Sequence, residues 1–453
     1  MRLTWAQPED LLAHELVQSE AEGHDVTGIR RTWTDAGGDP VPAVGGAGAT
    51  AADPRLRALA RDLLDELDAL PRPEQPDHWS RIETALPTAP TRPALPHDLR
   101  ERVHGAWAGR AAGCLLGKPV EKIPREGIEE ILRATDRWPL DRYFTAVGLP
   151  DDVAARRPWN RRSAGTSLEE NIDGMPEDDD LNHPMLALTL MERHGHDFTT
   201  DDVAALWLDL MPAGRVFTAE RAAYRNLLDA RPVPETATRH NPFREWIGAL
   251  IRTDLYGWTN PGDVRAAARL AWTDARLSHT RDGVYGAMWA AALAACALTH
   301  DTVEDVLDAA HTVLPPRSRT AQAVDLGREA AARGDVRSGL DRLHAAYGHL
   351  HWVHVLNNAA TIAYALTRGE GGFTPSVSIA VTAGWDTDSA AATVGGVVGA
   401  LRGFDHIGAR WTDPLDGRIA TSLPGGERRI DDLVTRTLAL ALVEPDPNSP
   451  RTP

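Results

Sequence analysis

The chain has 453 residues, 65 of them acidic and 48 basic, and a net charge of −17. That surplus excludes general nucleic-acid binding, which needs a basic face, though it leaves room for a local anion site. Two cysteines, Cys114 and Cys296, cannot build a disulfide framework and suit a reducing cytoplasm, while the lack of a membrane-length apolar run and of an apolar stretch in residues 1–20 predicts neither a span nor a secretory leader.

Residues 1–70 read as acidic and partly helical, with apolar spacing around Leu11–Leu16 and Leu56–Leu64. Residues 37–48 are rich in Gly, Pro and Ala and are expected to form a loop. Residues 71–96 are Pro-rich and are expected to be a linker or an extended arm along the surface. The boundaries expected are an N-terminal extension over 1–96, a main domain over 97–445 and a disordered tail over 446–453. From residue 97 nearly every segment has helical period: 99–117, 127–135, 184–194, 202–210, 219–229, 264–275, 283–298, 303–313, 318–333, 336–347 and 353–366. Strand-like alternation is scarce, so an all-α domain is the direct expectation.

Five stretches carry chemistry. Asp386-Thr387-Asp388-Ser389 opens a helix of Ala, Gly, Val and Thr that can pack very closely. Its carboxylates therefore belong to the end of a core helix, where unpaired charge is too costly to persist. A hard cation is the leading partner. Glu177-Asp178-Asp179-Asp180 likewise precedes an apolar helix. Alone it reads as a solvated helix start favoured by the dipole. Together, two such helix starts could supply oxygen ligands for one or two Mg2+ or Mn2+ ions. Gly105, Gly109, Gly113 and Gly117 leave one helix face bare for close packing, and Glu121 follows on a loop after Gly-Lys-Pro. Ser278-His279 precedes a Gly/Ala helix. His354, Asn357 and Asn358 share one helix face, where a satisfied core polar group is the ordinary reading.

The Gly-rich helix ending in Pro119-Val120-Glu121, the acidic cluster, Ser278-His279, and Gly384-Trp385-Asp386-Thr387-Asp388-Ser389 ahead of Gly395-Gly396 occur in an order that resembles the ADP-ribosylglycohydrolases. The likeness spans about residues 100–440. It implies an all-α orthogonal helical bundle with two Mg2+ or Mn2+ ions at the base of a cleft. It further implies Asp178, Asp179, Asp180, Asp386, Asp388 and Ser389 as the metal-binding set. The frame of the acidic motif stays open between Asp178-Asp179 and Asp179-Asp180. Glu121 is similar to a mobile glutamate that approaches substrate, and His279 to a position near the ADP-ribose pocket. The expected catalytic pair is Glu121 and Asp179, and the expected substrate contacts are Glu121, His279, Trp385 and Asn358. Two departures stand out. Gly113-Cys114 replaces the usual Gly-Asp, and the Gly-Asn-Gly…Met-Arg segment that helps hold phosphates is not recognisable. Met211–Arg215 and Thr218-Ala219-Glu220 stand about where it would be.

The resemblance implies metal-assisted hydrolysis at the ribosyl anomeric carbon. A monomer without nucleic-acid or membrane partners is the expectation beside it. The substrate expected is an ADP-ribosylated side chain. One alternative is a smaller N-ribosyl or nucleotide-derived metabolite; another is a non-catalytic ADP-ribose-binding or structural protein that kept the fold.

Overall fold

The computed structural model describes residues 3–48, 50–73 and 77–442. The expected tail over 446–453 lies outside them. The fold is all-α. The helical periods seen in the sequence become helices such as Leu99–Gly117, Arg125–Ala134, Thr200–Leu210, Val264–Ala275, Arg281–Ala297 and Val355–Gly369. Among the described residues, the two strands are Arg418–Ile419 and Arg428–Arg429, paired antiparallel. No helix among these residues is long and apolar enough to cross a membrane.

The structural centre is the contact between the Leu99–Gly117 and Thr387–Arg402 helices. A Cβ on Gly105 would stand 2.0 Å from the Gly399 carbonyl oxygen. On Gly109 it would stand 2.2 Å from Gly395 O, on Gly113 2.0 Å from Ala391 O, and on Gly117 2.3 Å from Thr387 O. Glycine every fourth residue thus lets two backbones touch at four successive points. At the lower end Thr387 Oγ1 donates to the Gly117 carbonyl at 2.8 Å. This contact fixes where Asp386 and Asp388 sit relative to the rest of the core.

The acidic-start helix runs from Asp179 to His194, five residues earlier than the apolar period beginning at Pro184 suggests. Pro184 lies inside it and has no N–H for the carbonyl of Asp180 four residues back. Arg110 Nε donates to that carbonyl instead, at 2.8 Å. A buried arginine therefore replaces the missing helical bond, and the helix can begin at its acidic residues.

The N-terminal helices Pro8–Ala21, Thr27–Asp35 and Pro54–Asp68 pack onto this bundle. Their apolar side chains, including Leu11, Leu12, Trp33 and Leu64, belong to the same continuous core as the bundle's. Trp5 meets Phe243 and Trp246 edge-on, with ring centres at 5.5 and 5.7 Å. Beside them the fully buried Arg244 donates to Glu15 (2.8 and 2.9 Å) and Glu22 (2.6 and 2.9 Å). Arg281 bonds both Glu22 (2.5 Å) and Glu245 (2.8 Å). Burial alone would raise the Glu22 carboxyl, but Arg244 and Arg281 outweigh it and bring it down to about 2. Within the Pro-rich stretch the short Trp79–Ala85 helix buries Trp79 and Ile82. Its start is tied to the bundle by a 2.8 Å bond from Trp272 Nε1 to Asp77 O.

Candidate functional site

A cavity of about 690 Å³ lies where the two carboxylate-bearing helix starts converge. Its floor is made by Asp178, Asp179, Asp180, Asp386, Asp388 and Ser389, and Glu121 stands beside them. Every residue expected to bind metal therefore lines one space, although the two clusters are about two hundred residues apart in sequence.

The local chain geometry explains the convergence. Asp178 is the N-cap of its helix, its extended backbone (φ −151°, ψ 152°) letting the side chain accept from Asp180 N at 2.9 Å. Gly384 and Trp385 both have left-handed backbone (φ 76° and 65°), and this turn swings Asp386 into the helix start. Asp386 occupies the N-cap position, yet its side chain caps nothing. Its carboxyl lies within hydrogen-bonding reach of the Asp388 carboxyl. Ser389 Oγ reaches Asp180 at 3.2 Å and so links the two clusters.

Two cations are built in. Lys118, 7% exposed, pairs with Asp178. Burial would lower its ammonium, but the Asp178 carboxylate outweighs that and raises it. Arg110, with no exposure, reaches Asp180 at 3.3 Å and pairs with Asp254. These two charges do not balance the site. Asp178, Asp179, Asp180, Asp254, Asp386 and Asp388 bring six carboxyls. Among the described residues the Asp179 carboxyl has no ion pair or side-chain hydrogen bond at contact distance; Lys118 and Arg221 act on it only from further away. Burial, then the charges of Asp178 and Asp388, push Asp179 well above the ordinary carboxylate range. Burial followed by Asp388 does the same to Asp386. Crowded carboxyls with no cation between them hold protons, whereas a hard divalent ion would let them ionise. The donor set is oxygen-rich and so fits such an ion. The thiol of Cys114 lies with Asp178 and Asp180 in one cluster whose ligand atoms are all within 4.8 Å of one another. Burial, then the same two carboxylates, hold that thiol far above its usual range and keep it protonated.

Glu121 accepts from Asn160 Nδ2 at 2.5 Å, and Lys122 Nζ lies 3.2 Å from its other oxygen. Burial, then Asp388, push its carboxyl up to about 7. Such a group can take up and release a proton near neutral pH.

The sequence matches the ADP-ribosylglycohydrolase family over residues 95–447. The chain belongs to the ADP-ribosylglycohydrolase family. Membership makes it a hydrolase acting on glycosidic bonds. A solved structure described as an ADP-ribosylglycohydrolase-related protein complex aligns at 19% identity with a TM-score of 0.48, covering 76% of this chain and 98% of that one. None of the curated proteins compared matches the chain.

Three of the expected substrate contacts lie off the cavity wall. His279 is 1% exposed behind Glu220, with Nδ1 2.8 Å from Ser278 Oγ. Asn358 is fully buried and donates to the carbonyls of Trp352 and His354, both at 2.9 Å. The Trp385 ring stacks on His344, with centres 4.0 Å apart. In their place the wall is formed by residues that no motif signalled: Thr4, Trp5 and Gly45 from the extension, and the loop Arg156–Ser163. Arg215, Phe217, Thr218 and Glu220 also line it. The 211–220 segment, unlike the family pattern in sequence, thus still borders the pocket.

Proposed function

We propose that this ADP-ribosylglycohydrolase is divalent-metal-dependent and cleaves the ribosyl C1 bond of an ADP-ribosylated substrate. The observation that carries the reading is the surplus of convergent carboxyls, buried in Asp180, Asp386 and Asp388 and half-buried in Asp179, which only a cation can balance in ionised form. One or two Mg2+ or Mn2+ ions fit that set. Of the two frames open in sequence, Asp179-Asp180 is the pair better supported. Glu177 is already taken by Arg215 (3.0 Å), Asn182 (3.0 Å) and the Ser422 amide (2.9 Å). Asp178 stands at the helix cap with Lys118 on one oxygen and the Asp180 amide on the other. Asp178 is therefore the least available ligand of the six-residue set.

A bound divalent ion would grip ribose hydroxyls and orient water. Glu121, held by Asn160 and Lys122, takes a proton from the attacking water as its oxygen bonds to C1. The bond from C1 to the aglycone breaks, and the electron pair leaves with the aglycone, which takes up the proton that Glu121 received from the water. Positive charge accumulates on the ribose ring in this step, and the acidic floor lowers its energy. Hydrolysis of a smaller N-ribosyl compound by the same groups is the second reading. It is favoured by Arg215, whose charge is engaged by Glu177. Release of ADP-ribose from ADP-ribosylarginine, with Mg2+ or with chelator, tests the proposal. Metal-dependent turnover that disappears in Asp388→Ala supports it. A fully active Asp388→Ala protein refutes it.

A further inference from the structure

Glu121 follows the Leu99–Gly117 helix on a tight turn. Ile123 N donates to Val120 O at 2.9 Å. Glu121 has φ −50° and ψ 131°, and Lys122 has left-handed backbone, φ 73°. This is the shape of a type II turn, whose third position favours glycine because a Cβ there crowds the backbone. The chain carries a long side chain at that position instead. Strain of this kind persists where the surroundings fix the residue.

The surroundings of Lys122 do so. Its Nζ lies 3.2 Å from a Glu121 oxygen and stands over the Trp352 ring, 5.0 Å from the ring centre. Trp352 is itself held from two sides. Its carbonyl accepts from Asn358 Nδ2 at 2.9 Å, and its indole Nε1 donates to Val44 O at 3.2 Å. Val44 belongs to the N-terminal extension, well ahead of the family match that begins at residue 95. A line of contacts thus runs from the extension through an indole and an ammonium to Glu121. Asn160 donates to the other carboxyl oxygen, and its own N–H is tied to Pro119 O at 2.9 Å. The Glu121 carboxyl is therefore gripped by two arms, one from each side.

We propose that Lys122 and Trp352 are positioning residues for Glu121, and that the N-terminal extension, through Val44, takes part in holding the base. The inference rests on the ribosyl-hydrolase reading, in which Glu121 takes a proton from the attacking water. A base must stand within hydrogen-bonding reach of that proton, and a misplacement of about 1 Å costs up to roughly 10²-fold in rate. An ion pair open to water does not fix such a geometry by itself. The indole beneath the ammonium confines it.

The test is the kinetics of ADP-ribose release from ADP-ribosylarginine by the Mg2+-loaded protein. Lys122→Gly is the first variant, because glycine relieves the left-handed turn while removing the ammonium. Its melting temperature should equal or exceed that of wild type. Its kcat should fall by roughly tenfold or more with KM within about twofold of wild type. Lys122→Arg keeps a cation over the ring and should retain most of the turnover. In a Glu121→Gln background Lys122→Gly should cost nothing further, since it acts through a group already removed. Trp352→Phe keeps a ring beneath the ammonium and loses the bond to Val44. Hydrogen exchange over residues 119–123, which needs no substrate, should quicken in this variant while exchange over 387–402 stays as in wild type. Wild-type kcat in Lys122→Gly, a rise in KM alone, or a fall in kcat that comes only with lower melting overturns the positioning role. Unchanged exchange in Trp352→Phe overturns the share of the extension. Full turnover by Glu121→Gln overturns the base and the inference with it. No release by wild type counts against the substrate reading, and the exchange result then judges the positioning by itself.

Discussion

Gly113→Ala should damage the cation site from within the core, without touching a ligand. The added Cβ would stand 2.0 Å from Ala391 O, 2.6 Å from Ala391 C and 3.1 Å from Ala392 N. All three are backbone atoms of a packed helix and cannot rotate away. Ordinary contact begins near 3.4 Å, so the two helices must part locally by about 1 Å or more. Overpacking of this kind costs about 1–3 kcal/mol. One turn further on the helices are as close: a Cβ on Gly117 would stand 2.3 Å from Thr387 O and 2.4 Å from Asp388 N. The separation therefore reaches the residues that aim Asp386 and Asp388 at Asp179 and Asp180. We expect a melting temperature a few degrees lower and Mg2+ affinity reduced by roughly tenfold or more, since a displacement of about 1 Å spoils a fixed ligand geometry. The assays are thermal unfolding of the metal-free protein and calorimetric titration with Mg2+. Gly28→Ala is the control: this helical glycine has nothing within 4 Å of the added Cβ, and the change should leave both quantities near wild type or slightly raise stability. A Gly113→Ala protein with wild-type melting and wild-type Mg2+ affinity would refute the claim that helix contact sets the site.

Lys118→Met removes the ammonium from a nearly buried Asp178 and should destabilise the metal-free protein by about 3–5 kcal/mol. Its melting temperature should then rise more steeply with Mg2+ than that of wild type, and equal melting of both metal-free proteins would contradict this. Glu121→Gln keeps the bond to Asn160 but cannot take a proton. Turnover should fall by roughly 10²–10⁴-fold while Mg2+ affinity stays close to wild type; retained turnover would exclude Glu121 as the base. Burial brings His14 and His354 down to about 4, against about 6.5 in the unfolded chain. The unfolded state thus binds protons that the folded state refuses. Stability from these groups is complete above about pH 6.5 and is lost as pH falls toward 4, each contributing up to about 1.4 kcal/mol per pH unit. Denaturant unfolding of the Mg2+-loaded protein across that window measures the slope, and a flat profile would contradict it.

The helices were legible because apolar spacing survives on one strand of sequence. The start of the Asp179–His194 helix was not, because it depends on Arg110, seventy residues away, bonding the Asp180 carbonyl that Pro184 cannot serve. The acidic floor was legible as two motifs of one design, and the glycine ladder between Leu99–Gly117 and Thr387–Arg402 brings one of them to its place. All four acids from Glu177 to Asp180 line the cavity, and the preference we propose for the Asp179-Asp180 frame rests on the partners of Glu177, which come from Arg215, Asn182 and Ser422. His279, Asn358 and Trp385 stand next to motif residues in sequence, yet Asn358 in its helix and His279 and Trp385 in the turns ahead of theirs are packed behind the wall. Asn160, Arg161 and Arg162 sit in a loop with no period and no motif, so only their proximity to Glu121 and the cavity reveals them. The docking of the extension rests on the pairing of Glu15 with Arg244 across 229 positions, and no local pattern encodes it.

The central claim is that the converging carboxyls hold a divalent cation. Titration of the metal-free protein with Mg2+ and Mn2+, alongside Asp388→Asn, tests it most directly. Saturable binding by wild type, weakened by roughly two orders of magnitude or more in Asp388→Asn and accompanied by proton release as the crowded carboxyls ionise, is the predicted result. No binding by wild type, or binding unchanged in Asp388→Asn, would contradict the account.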